Sequence, residues 1–255
     1  MTPASVGFHC PECLQSGRGT ARPATVSTGT FLRGLRQSMG PVTLGLIAVN
    51  LLFFVVTAVS AAASGASALE NQDSPVFAQL AQSPVLVADG QWWRLVTAGF
   101  LHFGVLHLMV NMYSLAVLGA SLENRLGAAR FGALYGVSLV GGSAAIQLFA
   151  PYSFAAGAST ALYGLFGALG VLMVAAKQDV RSLLVLLAVN IAVSLLPGIS
   201  LVGHLGGLVT GALTAGLYLL LRGRWALQVG AAVAFGVALL ALAVVVPPGG
   251  GLGYF

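Results

Sequence analysis

Seven long apolar runs dominate this 255-residue chain, at about residues 42–64, 103–121, 129–150, 159–176, 182–198, 200–221 and 225–246. A helix that crosses a bilayer needs about 20 consecutive, mostly apolar residues, and backbone inside the membrane must satisfy its own hydrogen bonds. The runs are too long and too little alternating for barrel strands, so they predict an all-α integral membrane protein. Composition agrees. Only 7% of the residues are charged, against about a quarter in a soluble domain, and the mean hydropathy is +0.94.

The cations give a direction to these runs. Arg18, Arg22, Arg33 and Arg36 precede the first, Arg125 and Arg130 fall between the second and third, Lys177 and Arg181 between the fourth and fifth, and Arg222 and Arg224 between the sixth and seventh. If the runs alternate, all ten lie on one side, which the positive-inside rule makes the cytoplasm. The N-terminus is then cytoplasmic, the C-terminus external, and Arg94 the one external cation. The net charge of +5 is a topology signal and implies no nucleic-acid partner. Residues 1–40 lack the apolar stretch of a cleavable signal peptide. In that tail His9, Cys10 and Cys13 make half a zinc knuckle. A closed tetrahedral site takes four ligands, so the expectation is a reduced tail without metal, the alternative being a zinc shared between two chains. A chain heavy in Ala, Gly, Val, Leu and Arg with a single Lys points to a high-GC bacterium and hence to its plasma membrane.

Polar side chains inside such runs need a reason. Ser159, in Gly157-Ala158-Ser159-Thr160, opens the fourth run, and His204 lies about one turn into the sixth. His102 and His107 open the second, with Asn111 a turn further in. The second, fourth and sixth runs share a direction, so all five residues fall near the outer end of the bundle. His107 and Asn111 are i, i+4 and share a face, whereas His102 points elsewhere if the helix includes it. Intramembrane polar groups usually face the bundle interior or a wet cavity. Gly164, Gly167 and Gly170 in the fourth run, and Gly203, Gly207 and Gly211 in the sixth, let two helix backbones approach. That approach carries His204 toward Ser159.

Neutral imidazole is well matched to taking a serine proton near pH 7. The oxyanion formed on a carbonyl needs preorganised donors, and His107, Asn111 and the Ser159 N–H are candidates. Glu123, the one acidic residue in these three runs and their immediate ends, lies at the opposite end of the second. The pattern is a Ser-His dyad without a carboxylate. Taken singly, each residue has a structural explanation: Ser159 as a helix N-cap, His204 as an interhelical hydrogen bond, Trp93-Arg94 as an interfacial anchor. Their joint occurrence favours a site.

These residues resemble the rhomboid intramembrane serine proteases. The matching pieces are Gly157-Ala158-Ser159-Thr160 with Tyr163, His204 with Gly207 and Gly211, His102 with His107-Leu108-Met109-Val110-Asn111, Trp93-Arg94, and Glu123-Asn124-Arg125-Leu126-Gly127. The resemblance implies a six-helix transmembrane bundle over about residues 41–222, preceded by a cytoplasmic tail (1–40) and followed by a seventh transmembrane helix with a short external tail (223–255). It implies Ser159 as nucleophile, His204 as general base and then acid, and His107, Asn111 and the Ser159 N–H as oxyanion hole. Tyr163 would stack on His204, Trp93-Arg94 would belong to a loop dipping into the outer leaflet, and Glu123 and Arg125 would anchor a buried turn. Thr160 after the serine and Val202-Gly203 before the histidine depart from the family's usual Gly and Ala. The implied reaction is endoproteolysis at the outer end of single-span membrane substrates within the lipid bilayer, with no metal, cofactor or ATP. Glycine and proline weaken helices, so a substrate segment carrying them would unwind most readily. A catalytically silent client-binding relative is the main alternative. A transporter or metal protein using His102, His107 and His204 is another, without the internal repeat a transporter would show.

Overall fold

The computed structural model describes residues 39–196 and 198–248, together with the backbone of Thr2, Pro3, Phe8 and His9. In the N-terminal unit Thr2–Pro3 (β1) pairs antiparallel with Phe8–His9 (β2). Cys10 and Cys13 lie outside the described residues, as does the His9 side chain.

The second unit, from Met39 onward, is all-α. Its long helices are α1 (Pro41–Ala63), α5 (Gly104–Leu126), α6 (Ala128–Phe149), α7 (Ser159–Ala175), α8 (Arg181–Val193), α9 (Leu201–Leu220) and α10 (Trp225–Val245). Three short helices, α2 (Pro75–Leu80), α3 (Pro84–Ala88) and α4 (Arg94–Thr97), with a 3-10 turn at Ala98–Phe100, fill the loop between α1 and α5. Each apolar run has become one helix, and the chain is an integral, multi-pass membrane protein. Five of the helices (α1, α5, α6, α9 and α10) are long and apolar enough to cross a bilayer. The two others are shorter, 17 residues in α7, as its run predicts, and 13 in α8, fewer than its run suggests, or about 26 and 20 Å at 1.5 Å per residue. The shortfall in α8 has a sequence cause: in a continued helix Pro197 would offer no N–H to the Val193 carbonyl and its ring would clash with that carbonyl.

Helix α6 is the most buried of the long spans and α9 the next, while α1 and α10 expose most of their surface. Exposed Leu51, Leu52, Val55 and Val59 on α1, and Val233, Val237 and Val245 on α10, are what lipid-facing helices require. The core is built around Leu115, Leu122, Phe131, Leu134, Leu165 and Tyr218, contributed by α5, α6, α7 and α9.

Helices α7 and α9 are in backbone contact. A β-carbon on Gly207 would overlap the Thr160 carbonyl, one on Gly211 the Gly164 carbonyl, and one on Gly167 the Leu208 carbonyl. Small residues therefore set this interface, as the spacing predicts. Gly203 and Gly170 do not take part: Gly203 faces Ile146 of α6, and Gly170 has only the Leu183 side chain of α8 near it.

The end of the bundle remote from Ser159 is tied by Glu123. Its buried carboxylate accepts the N–H groups of Val42 (2.9 Å) and Thr43 (2.8 Å) and the Thr43 hydroxyl (2.7 Å). These are donors at the N-terminus of α1 that lack intrahelical partners, and the helix dipole favours the charge there. Helix α10 is tied in through Gln228, which accepts from Arg130 Nη1 (3.2 Å) and donates to the Tyr218 carbonyl (2.6 Å).

Candidate active site

The N-terminal turns of α5, α7 and α9 meet at one end of the bundle. Ser159 is the first residue of α7 and His204 the fourth of α9. With α7 and α9 packed at glycine distance, His204 Nε2 lies 2.8 Å from Ser159 Oγ. The His204 ring stacks on Tyr163, one turn along α7 from Ser159, with centroids 4.1 Å apart and planes 10° apart. Such a stack fixes the ring plane without using either ring nitrogen.

The segment leading to Ser159 is strapped to the loop before α5. Gln82 and Ala155 exchange backbone hydrogen bonds of 2.9 and 3.0 Å, and the Gly157 N–H donates to the Ala98 carbonyl at 2.9 Å. Gly157 has φ +137°, a region that favours glycine. A β-carbon there would stand 2.9 Å from His107 Cε1, 3.1 Å from His107 Nε2 and 3.4 Å from Ser159 Oγ. The His107 ring edge thus lies across Gly157, on the serine side.

The orientation of His107 has a visible origin. Its Nδ1 accepts the Phe103 N–H at 3.2 Å, so in the neutral ring the proton is on Nε2, the nitrogen nearest Gly157. Phe103 stacks against the same ring at 6.0 Å and 11°. Asn111 donates from Nδ2 to the His107 carbonyl at 2.8 Å, while its buried Oδ1 has no protein partner. One Nδ2 hydrogen of Asn111 is therefore committed within α5.

His107, Asn111, Ser159, Tyr163 and His204 line one cavity of about 1070 Å³. His102 is not among its lining residues. It precedes α5, which begins at Gly104, and is fully buried with its ring 5.1 Å from that of His107, edge to face. Burial first, and His107 second, push its pKa down to about 3. Gly207 and Gly211 lie deeper, at the contact of α9 with α7.

Other sequence-predicted residues sit away from the cavity. Arg94, expected as the one external cation, is buried and donates to the carbonyls of Ala78 (2.8 Å) and Ala81 (2.6 Å) and to Gln91 Oε1 (2.8 Å). It organises the loop by satisfying carbonyls at the end of α2, while Trp92 and Trp93 are exposed beside it. Glu123 and Arg125 are at the other end of α5; Glu123 is 16 residues from His107, about 24 Å along a helix. Arg125 Nη1 reaches Gln178 Oε1 at 3.4 Å. Among the described residues no three His, Cys, Asp or Glu side chains converge as metal ligands.

One residue at the site was not singled out from the sequence. Ser194, immediately after α8, is 2% exposed, and its Oγ lies 2.7 Å from both His204 Nδ1 and Tyr163 Oη. Nothing marked it in the sequence, because a serine near the end of an apolar helix is ordinarily a local cap or back-bonding residue.

An all-α bundle whose two glycine-packed helices set a serine hydroxyl against an imidazole at one cavity defines a class of integral membrane protein with a polar pocket among its helices. The family model of the rhomboid domain matches residues 89–221, and the chain belongs to the rhomboid family. RHOMBOID-like protein 6, mitochondrial, of Arabidopsis thaliana is 38% identical over 133 residues, covering 49% of this chain and 43% of that protein. RHOMBOID-like protein 1 of the same plant is 37% identical over 143 residues, covering 53% and 37%. Rhomboid protease GluP of Bacillus subtilis (strain 168) is 36% identical over 139 residues, covering 51% and 27%. The chain thus spans less than half the length of each of these curated relatives.

Proposed function

We propose that the protein is an intramembrane serine endopeptidase in which Ser159 is the nucleophile and His204 the general base. The observation that carries this reading is the 2.8 Å contact between Ser159 Oγ and His204 Nε2 inside a membrane-embedded bundle. His204 takes the Ser159 proton as Oγ attacks the scissile carbonyl, then returns it to the leaving amine. The Ser159 N–H, at the first position of α7, has no intrahelical acceptor and joins the His107 Nε2–H as oxyanion donor, with the remaining Asn111 amide hydrogen as a third. Water held in the cavity then resolves the acyl-enzyme.

The substrate in this reading is a single-span membrane protein whose helix unwinds at its outer end. The tail 1–40 lies in the cytoplasm, 41–222 is the protease core, and 223–255 adds a seventh helix and an external tail, in a plasma membrane. Ser159→Ala, reconstituted in liposomes with a model transmembrane substrate, is expected to abolish cleavage and fluorophosphonate labelling while expression is kept. Cleavage at the wild-type rate overturns the assignment. A wild-type protein that binds the substrate without cleaving it is instead a silent client-binding member of the family.

A further inference from the structure

Ser194 makes more contacts than a structural serine needs. Its Oγ is 2.8 Å from the Asn190 carbonyl oxygen, 2.7 Å from Tyr163 Oη and 2.7 Å from His204 Nδ1. A hydroxyl has one proton and two lone pairs. The carbonyl can only accept, so the Ser194 proton goes to Asn190, and the other two partners must both donate. Tyr163 donates its phenolic proton, and His204 donates from Nδ1. The neutral His204 ring is then unprotonated at Nε2, the nitrogen 2.8 Å from Ser159 Oγ.

We infer that Ser194 is a positioning residue for the catalytic pair, its oxygen holding His204 as the Nδ1–H tautomer that leaves Nε2 open as the base. The inference rests on the reading of Ser159 and His204 as nucleophile and base. In the acylation step Ser159 Oγ bonds to the carbonyl carbon, the carbonyl π pair moves to oxygen, and the Ser159 proton passes to Nε2. The imidazolium so formed keeps its Nδ1–H on Ser194, and no proton moves along that bond. As the C–N bond breaks, the Nε2 proton leaves with the amine. Ser194 thus takes the orienting place that an aspartate fills in Ser-His-Asp triads, with a dipole in place of a charge. Its proton on the Asn190 carbonyl polarises the oxygen that receives the Nδ1–H.

The placement of α8 agrees. No residue of Arg181–Val193 is buried, yet the next residue is, and it lies against His204 and Tyr163. Back-bonding to the carbonyl four residues earlier is ordinary for an intramembrane serine and accounts for the Asn190 contact alone.

The test compares Ser194→Ala and Ser194→Thr with the wild type in liposomes. Loss of the hydroxyl is expected to lower kcat, and the rate of fluorophosphonate labelling of Ser159, by about ten- to a hundredfold, with KM little changed. Threonine, which keeps the hydroxyl, is expected to restore most of both. A role confined to packing or substrate docking would change stability or KM and leave the labelling rate intact. Nitrogen-15 NMR of histidine-labelled protein reads the tautomer directly, with the His204 signals assigned by a His204→Ala variant. The expected wild-type result is a protonated Nδ1, and a neutral ring protonated mainly on Nε2 overturns the inference with no Ser194 variant needed. Unchanged labelling in Ser194→Ala overturns it as well. With Ser159→Ala inactive, unchanged labelling in Ser194→Ala leaves the nucleophile and base in place, whereas a ring protonated on Nε2 leaves Ser159 as nucleophile and removes His204 as its base; an active Ser159→Ala removes the reading beneath both.

Discussion

Gly157 does two jobs that no other residue can combine. Its φ of +137° turns the chain into α7, and its missing β-carbon makes room for the His107 ring edge. Gly157→Ala is therefore expected to displace the His107 donor and lower kcat about a hundredfold, the scale of losing one oxyanion donor. Kinetics in liposomes check this, and an unchanged kcat would remove His107 from the oxyanion role. The same residues show what a sequence can announce. Ser159, His107 and His204 stand out because few side chains can do their chemistry and because they share a depth in parallel runs. Ser194 does not, since its role depends on three-dimensional neighbours 10 and 31 residues away in sequence. Arg94 was legible as a residue of note but not as a buried one, because a guanidinium that satisfies carbonyls leaves no trace in the local pattern.

At the scale of the helix pair, α7 and α9 approach until backbone meets backbone. The i, i+4 glycines announced the contact, yet of Gly203, Gly207 and Gly211 only the last two face α7. Which glycines engage depends on the rotation of the helix, and Gly203 turns instead toward Ile146 of α6. A side chain at Gly211 would run into the Gly164 carbonyl, which no rotamer change relieves. Gly211→Val is expected to destabilise the fold by about 1–3 kcal/mol, the usual cost of overpacking, and to separate Ser159 from His204, so that cleavage falls with the thermal midpoint. Gly216 lies on the same helix with nothing within 4 Å of an added β-carbon. Gly216→Ala should leave activity intact and raise stability slightly, because alanine is the better helix former. Thermal unfolding in detergent, read beside cleavage, distinguishes the two, and equal tolerance at both positions would mean that the helices do not pack this way. The length of α8 was less legible than the glycine contact, because apolar composition continues past Val193 where helix does not.

Across the whole molecule, the number and order of the long helices could be read from hydropathy, whereas the short helices α2 to α4 could not. That loop folds around Arg94 and the Gln82–Ala155 bridge, contacts between segments far apart in sequence. The proposed orientation in the membrane rests on charge. Lys177 and Arg181 flank the turn between α7 and α8, and Arg222 and Arg224 that between α9 and α10. Moving such clusters across the bilayer opposes the positive-inside bias, so the orientation we propose puts these turns in the cytoplasm and the Ser159 end of the bundle outside. Single cysteines placed at exposed Asp73 and Gln178, in a chain with Cys10 and Cys13 replaced, test this with a membrane-impermeant maleimide on intact cells. Asp73→Cys is expected to react at once, and Gln178→Cys only after permeabilisation. The reverse pattern would put Ser159 and His204 at the cytoplasmic end and require substrates that unwind on that side.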